Sequence, residues 1–398
     1  ILISNCGEMT SEDDSEICIA KGTKILTKVG YKNIELLTLD DEIGSKINNR
    51  TIFRKPLHII NNGIKEIFNI KLTNGQEINL TSNHKVLTNN GWKKVEELLI
   101  TADSICTNHS QSKYNDFNYL NNIDVEYYTL GWLIGDGWLA EKKDFGFVFG
   151  SIEDTESEQL IYNYIRQKYN SGYIQVQKNG VKCLYITSQK VKQQFENNYK
   201  IIKAKARNRR VPLKVFESSV IQKISFLPAL FAADGTVKTS RINTKLASSS
   251  IQLLQDAQLL LDELGIYSRI DWFKVKNRND QGILCISGTE LVKFNKLIGY
   301  KYHKNKQNLL NKKLIPHIDS LNRKHGKVKA KEFTPIETIK NYGYEIVYDI
   351  SMPQDNPHLI ANGIIVHNCN LASINLARID SLEEMEKVVE LGTIFLLA

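Results

Sequence analysis

The stretch Val366-His367-Asn368-Cys369 decides how the rest of the chain is read. An Asn side-chain amide can attack its own backbone carbonyl, closing a succinimide and cutting the chain after itself. A Cys next in line supplies a thiol at the released end, and a His just before can move the protons. A second thiol stands far upstream at Cys18, within Glu16-Ile17-Cys18-Ile19-Ala20-Lys21-Gly22-Thr23. Removing everything from Cys18 to Asn368 would join Ser15-Glu16-Ile17 to Cys369-Asn370-Leu371. The two stretches therefore read as the ends of a segment able to excise itself.

Charge marks the same borders. The chain of 398 residues carries +8 overall. Residues 1–17 hold five acids and no Lys or Arg, and residues 369–398 hold five acids against Arg378 and Lys387. The flanks thus sum to −5 − 3 = −8, which leaves +16 for residues 18–368. A basic insert between acidic flanks points to a polyanionic partner, with a merely Lys-rich surface as the competing explanation. The six cysteines form no CxxC and no ladder of spacings, so reactive or buried thiols are expected rather than a disulfide framework. No apolar run approaches the roughly 20 residues that span a bilayer, and no secretory leader opens the chain. We expect a cytoplasmic protein without membrane contact. A start at Ile1 suggests a piece of a longer precursor.

Residues 18–108 alternate short β-like runs (Thr23–Thr27, Glu66–Leu72, Glu77–Leu80) with turn signals at Asn62-Gly63, Thr73-Asn74-Gly75 and Asn89-Asn90-Gly91. From about 125 the pattern becomes mixed. Helices are expected over Tyr127–Leu139, Glu153–Tyr169 (capped by Asp154 or Thr155) and Val191–Tyr199, with strands at Tyr173–Val176 and Cys183–Thr187. The theme repeats with helices Phe226–Asp234, Ile251–Leu264 and Thr289–Ile298 and strands Arg241–Ala247, Ser268–Lys274 and Ile283–Ser287. Two such units suggest a pseudo-two-fold domain. Residues 301–331 carry ten Lys/Arg against Asp319 alone and read as a linker or basic arm. β character returns at Glu345–Ser351 and His358–Val366.

Cys18-Ile19-Ala20-Lys21-Gly22-Thr23, Asn79-Leu80-Thr81-Ser82-Asn83-His84-Lys85-Val86, Val347-Tyr348-Asp349-Ile350-Ser351 and His358 to Asn368 together resemble the splicing blocks of inteins of the Hint fold. Each residue alone has an ordinary structural explanation; four blocks in order, at both ends of one charge-distinct segment, do not. The resemblance implies that Cys18 attacks the Ile17 carbonyl, with Thr81 and His84 weakening that peptide. Cys369 then takes the acyl group, Asp349 tunes the thiols, and Asn368 cyclises with help from His367. His358 sits where the family often has a second histidine. No cofactor is implied for these steps.

Leu130-Gly131-Trp132-Leu133-Ile134-Gly135-Asp136-Gly137 and Pro228-Ala229-Leu230-Phe231-Ala232-Ala233-Asp234-Gly235 match position by position. Small residues four apart (Gly131 with Gly135, Ala229 with Ala233) share one helical face, so two helices can pack backbone to backbone. Asp136 and Asp234 would then meet at the helix ends and call for a divalent counter-ion such as Mg²⁺. The pair resembles the LAGLIDADG homing endonucleases. That implies sheets in the major groove of double-stranded DNA, expected to be the insert-free allele of the host gene, with one Asp serving each strand. Lys200, Lys203, Lys205, Arg207, Arg209, Arg210 and Lys214 form an acid-free basic run suited to phosphates. A domain that binds DNA without cutting it is the alternative.

Asn5-Cys6-Gly7-Glu8 and the joined Ile17-Cys369-Asn370-Leu371-Ala372-Ser373-Ile374-Asn375-Leu376 resemble the large subunit of ribonucleotide reductase, whose cofactor class these residues do not define. The resemblance would make Cys6 the radical-bearing residue and Cys369 one of a redox pair. The expected architecture is multidomain. An all-β Hint domain (18–108 and 332–368) is split by an α/β endonuclease domain with a basic linker (109–331), between host fragments 1–17 and 369–398.

Overall fold

The computed structural model describes residues 2–3, 9–10, 17–47, 50–108, 123–139, 144–150, 154–199, 201, 206–238, 242–274, 280–312, 316, 332–353, 358–367, 381–383, 385–387 and 389–390. Two compact units divide the chain: residues 1–28, 32–108 and 332–398, and residues 29–31 with 109–331. Among the described residues no helix is long and apolar enough to cross a membrane.

The first unit is built on a 13-stranded sheet whose strands come from both ends of the sequence. Those that matter for the site are β1 (Ile19–Ala20), β2 (His58–Leu72), β3 (Glu77–Leu80), β4 (Lys85–Thr88), β5 (Gly91–Lys94), β6 (Phe333–Ser351), β7 (His358–Ala361) and β8 (Ile364–His367). Alternation decides which face is buried. In β3 and β4 every second residue, Ile78, Leu80, Val86 and Thr88, turns inward. Ile78, Leu80 and Val86 join Ile25, Ile70, Ile105, Leu359 and Val366 in one core. Burying each Ile, Leu or Val contributes about 1.5–3 kcal/mol.

The expected turns at Thr73-Asn74-Gly75 and Asn89-Asn90-Gly91 join β2 to β3 and β4 to β5. Asn62-Gly63 is a correction, because it lies inside β2 and connects no hairpin. β2 runs antiparallel to β6 from His58 opposite Ser351 to Leu72 opposite Ile336. Asn61 pairs with Tyr348 and Ile64 with Ile346, so two residues of β2 face Val347 alone. Gly63 takes φ +76°. This is a β-bulge, and long-range pairing has overridden the local turn preference.

The second unit contains two helices, α1 (Val125–Asp136) and α2 (Val220–Asp234), each followed by a four-stranded antiparallel sheet. One sheet runs in the order Gly137–Leu139, Phe145–Phe149, Lys182–Ile186, Tyr173–Val176. The other runs Gly235–Lys238, Asn243–Ser248, Gln281–Ser287, Arg269–Phe273. The Asp124 carboxylate caps α1 by accepting from the Glu126 and Tyr127 amides, and Ser219 with Gln222 forms a capping box on α2. Both helices are apolar on nearly every side and correspondingly buried. The first expected helix is too long by three residues. Chain direction changes at Gly137, where a Cβ would come within 2.4 Å of the Leu133 carbonyl oxygen. Asp154 stands at the start of the Thr155–Tyr169 helix without capping it; its carboxylate accepts from the Gly150 amide instead. The arm expected at 301–331 is helical over 304–312.

The small-residue face packs as its spacing requires. A Cβ on Gly131 would lie 2.2 Å from the Phe226 carbonyl oxygen, and one on Gly135 would lie 2.6 Å from Ala233 Cβ. The Gly131→Ala change should cost stability at the upper end of the ~1–3 kcal/mol typical of overpacking. Thermal unfolding should show a clear drop in Tm, and an unchanged Tm would contradict the close helix contact.

Candidate functional site

Cys18 precedes β1 and is fully buried with Ala20, Ile67 and Val347. Ile19 pairs with Leu80 of β3, so the turn that follows β3 lies beside residue 18. Two bonds lock the junction there. The Cys18 amide donates to Thr81 Oγ1 at 3.0 Å, and the Thr81 amide donates to the Cys18 carbonyl at 3.1 Å. The amide nitrogen held by Thr81 is the nitrogen of the Ile17–Cys18 peptide. From the other side, Tyr348 pairs with Ile19, which carries the buried Asp349 one step further, toward the Cys18 end.

His84 follows within the same turn, its amide donating to the Thr81 carbonyl. The ring is buried, and neither nitrogen makes a hydrogen bond of standard geometry. A buried polar group left so has a cost that folding alone does not explain. Burial, with the nearby charge of His367 second, pushes its proton affinity down to about 3, against the backbone of Cys18 and of His367, which favour the charged ring. The resting imidazole is therefore neutral, with one N–H to donate and one lone pair.

The other junction arrives on β8. Val366 pairs with Val86 of β4, and His367 faces His358 across β7–β8. Trp92 of β5 packs edge-on against His367, ring centroids 5.0 Å apart, and tilted against His358 at 5.8 Å. A ring nitrogen of His358 lies 2.6 Å from the Lys46 carbonyl. Residues near 18, 84, 349 and 367 thus converge, while Asn368 and Cys369, like Cys6, lie outside the described residues. Two contributors were not foreseen: Trp92, and Asn62, whose Nδ2 donates to Cys18 Sγ at 3.2 Å.

In the second unit Asp136 and Asp234 face one cleft of about 450 Å³, lined also by Gly135, Gly137, Arg209, Ser248, Ser249 and Gln281. Burial and then the charge of Asp136 push the Asp234 carboxyl up to about 7, with Arg209 and Lys306 opposing. Burial and then Asp154 raise Asp136, opposed by Lys306 and Arg209. Each helix end carries its own cation. Arg209 donates to the carbonyls of Ile134, Gly135 and Gly137, and Lys306 donates to that of Ala232 at 2.6 Å. Helix C-termini attract cations in this way.

The basic run is only partly free for phosphates. Arg210 is forked onto the buried carboxylate of Asp256 at 2.8 and 3.0 Å, and Arg209 is held at α1. Arg207 and Lys214 are exposed; Lys200, Lys203 and Lys205 lie outside the described residues. Lys306 had no sequence signal beyond the charge of its arm. Two half-buried oxygen donors with raised proton affinity fit a divalent hard cation. Among the described residues no third His, Cys, Asp or Glu joins them.

With this geometry in view, comparison with known proteins is direct. The family model of the intein splicing domain matches residues 14–368, and the chain belongs to that family. The ribonucleoside-diphosphate reductase NrdEB subunit alpha of Bacillus subtilis (strain 168) is 25% identical over 95% of this chain and 38% of its own length. The chain therefore spans about two fifths of that curated relative. The replicative DNA helicase DnaB of Synechocystis is 25% identical over 67% of the chain and 32% of its own length. Among solved structures, a Ssp DnaB mini-intein variant is 12% identical, with a TM-score of 0.31, over 92% of this chain and all of its own. The homing endonuclease I-DmoI, in complex with DNA and Ca, is 20% identical, with a TM-score of 0.34, over 44% of this chain and 88% of its own.

Proposed function

We propose that residues 18–368 excise themselves and join residues 1–17 to 369–398, restoring part of a ribonucleotide reductase large subunit. The observation that carries this is His84, one buried neutral imidazole beside the backbone of both Cys18 and His367. A group that serves two junctions from opposite ends of a segment suits a reaction that must couple them.

The steps follow from the residues. The Cys18 thiolate adds to the Ile17 carbonyl and the C–N bond breaks, leaving a thioester and a free amine. Thr81 holds the departing nitrogen, and His84 delivers a proton to it. The Cys369 thiol exchanges into the thioester. Asp349, close to the Cys18 end, relays protons between the two thiols. The Asn368 side chain then closes on its own carbonyl, with His367 and His358 assisting, and an S-to-N acyl shift restores the peptide.

The inserted unit is proposed as a LAGLIDADG endonuclease of pseudo-two-fold symmetry within a split Hint domain, acting on double-stranded DNA at the insert-free reductase allele. Asp136 and Asp234 would hold Mg²⁺, which supplies charge neutralisation at the scissile phosphates. Water and phosphate oxygens would complete its coordination, as this ion prefers. Arg209 and Lys306 fix the two helix ends. Both acids are raised, Asp234 by burial and then by Asp136, which favours this cleaving site over one that only binds DNA. Both activities are cytoplasmic in this reading.

Intact-mass spectrometry of the expressed chain, beside a Cys18→Ala, Asn368→Ala double variant, tests the splicing. The expected products are a ligated 1–17/369–398 peptide and a free 18–368 segment, both missing in the variant. An unchanged full-length mass under reducing conditions would overturn the proposal.

A further inference from the structure

We propose that Asn62 is a catalytic residue of the first step, its carboxamide N–H donating to the Cys18 sulfur so that the thiol ionises and points at the Ile17 carbonyl. The inference rests on Cys18 being the nucleophile. Asn62 Nδ2 lies 3.2 Å from Sγ, within range for a hydrogen bond to sulfur. Cys18 belongs to a small buried cluster with Ala20, Ile67 and Val347, where a charge would be poorly solvated.

The backbone explains why this side chain reaches the sulfur. Residues 62 and 63 of β2 stand opposite Val347 alone, between the pairs Asn61–Tyr348 and Ile64–Ile346. Val347 is paired on its other side with Ala20 of β1. The bulge turns Asn62 out of the regular alternation, toward the end of the strand that follows Cys18. It is held in shape by the Gly63 amide, which donates to Asn61 Oδ1 at 3.0 Å, and by Gly63 at φ +76°, a conformation suited to glycine. Bulges commonly re-aim one side chain beside a reactive group.

The chemistry balances without consuming Asn62. The Sγ–C bond to Ile17 forms, the Ile17–Cys18 C–N bond breaks, the proton lost by the thiol is matched by the one gained by the amine, and the carboxamide keeps both its hydrogens. Its contribution is to the charged sulfur, which accepts a hydrogen bond more strongly than a thiol or a thioester does.

The test uses the full chain carrying Asn368→Ala and Cys369→Ala, so that only the first step runs. Cleavage at Ile17–Cys18 by excess dithiothreitol and alkylation of Cys18 by iodoacetamide are followed against pH by mass spectrometry. Asn62→Ala should move both profiles upward by about one pH unit, a roughly tenfold loss at neutral pH that recovers in alkali. Asn62→Asp, the same shape with a carboxylate, should move them further. Unshifted profiles in both variants, or an equal slowing at every pH, would overturn the proposal as a structural effect of the bulge. No thiol-induced cleavage in the parent chain would instead remove Cys18 as the nucleophile, and this inference with it.

Discussion

Asn at position 234 should sharply reduce double-strand DNA cleavage and at the same time make the protein more stable at neutral pH. Asp234 is half-buried beside Asp136, and its carboxyl is pushed up to about 7 from an ordinary 3.8. The folded state therefore holds a proton that the unfolded chain gives up between those values. Stability falls as pH rises through that window, and the full penalty applies above about 7, on the order of a few kcal/mol. The amide carries no such penalty, so Asp234→Asn should raise Tm at pH 7.5 and lose its advantage near pH 4. Cleavage in Mg²⁺ should fall by roughly 10²–10⁴-fold, the share that metal-held charge stabilisation supplies. DNA binding, measured in Ca²⁺ at fixed salt, should persist. A variant that cuts normally, or one whose Tm drops at pH 7.5, would refute this account of the acid pair. Such a trade of stability for function is common where like charges are forced together.

Loss of the His84 ring should stop the first splicing step while relieving an acid sensitivity. In His84→Ala, thiol-induced cleavage at Ile17–Cys18 should slow by about 10²–10⁴-fold, the usual reach of one positioned proton-transfer group. The stability argument has the opposite sign to that for Asp234. The folded ring resists protonation down to about 3, whereas the unfolded one takes a proton near 6.5. Its contribution is complete above 6.5 and is lost as pH falls toward 3. The urea midpoint of the parent should therefore decline through that range, and that of His84→Ala should decline less. Equal slopes in the two proteins would mean that the ring is solvated and that its neutrality has another origin.

Much of the site could be read from sequence because its chemistry is packed into short local patterns. Thr81 and His84 occupy one turn, so their spacing already states their relation to each other. Each Asp stands at the end of a helix whose small residues declare the contact face. What could not be read depends on partners remote in the chain. Asn62-Gly63 has the composition of a hairpin turn, yet β2 continues through it because residues beyond 333 pair along its length. Lys306 lies in a run of cations without apolar periodicity, and only the fold brings it to the Ala232 carbonyl. Arg210 shows the reverse case, a residue that looks available for phosphate and is engaged by Asp256.

The long antiparallel pair β2–β6 joins residues before 73 to residues after 332, and no described strand from 109–331 enters its sheet. The two ends of the chain thus carry complementary strand edges. A gene broken anywhere within the insertion would encode two polypeptides carrying matched strand edges. Their reunion would be governed by mass action rather than by chain connectivity. Each half alone would expose long unpaired edges and so be prone to aggregate until it met the other.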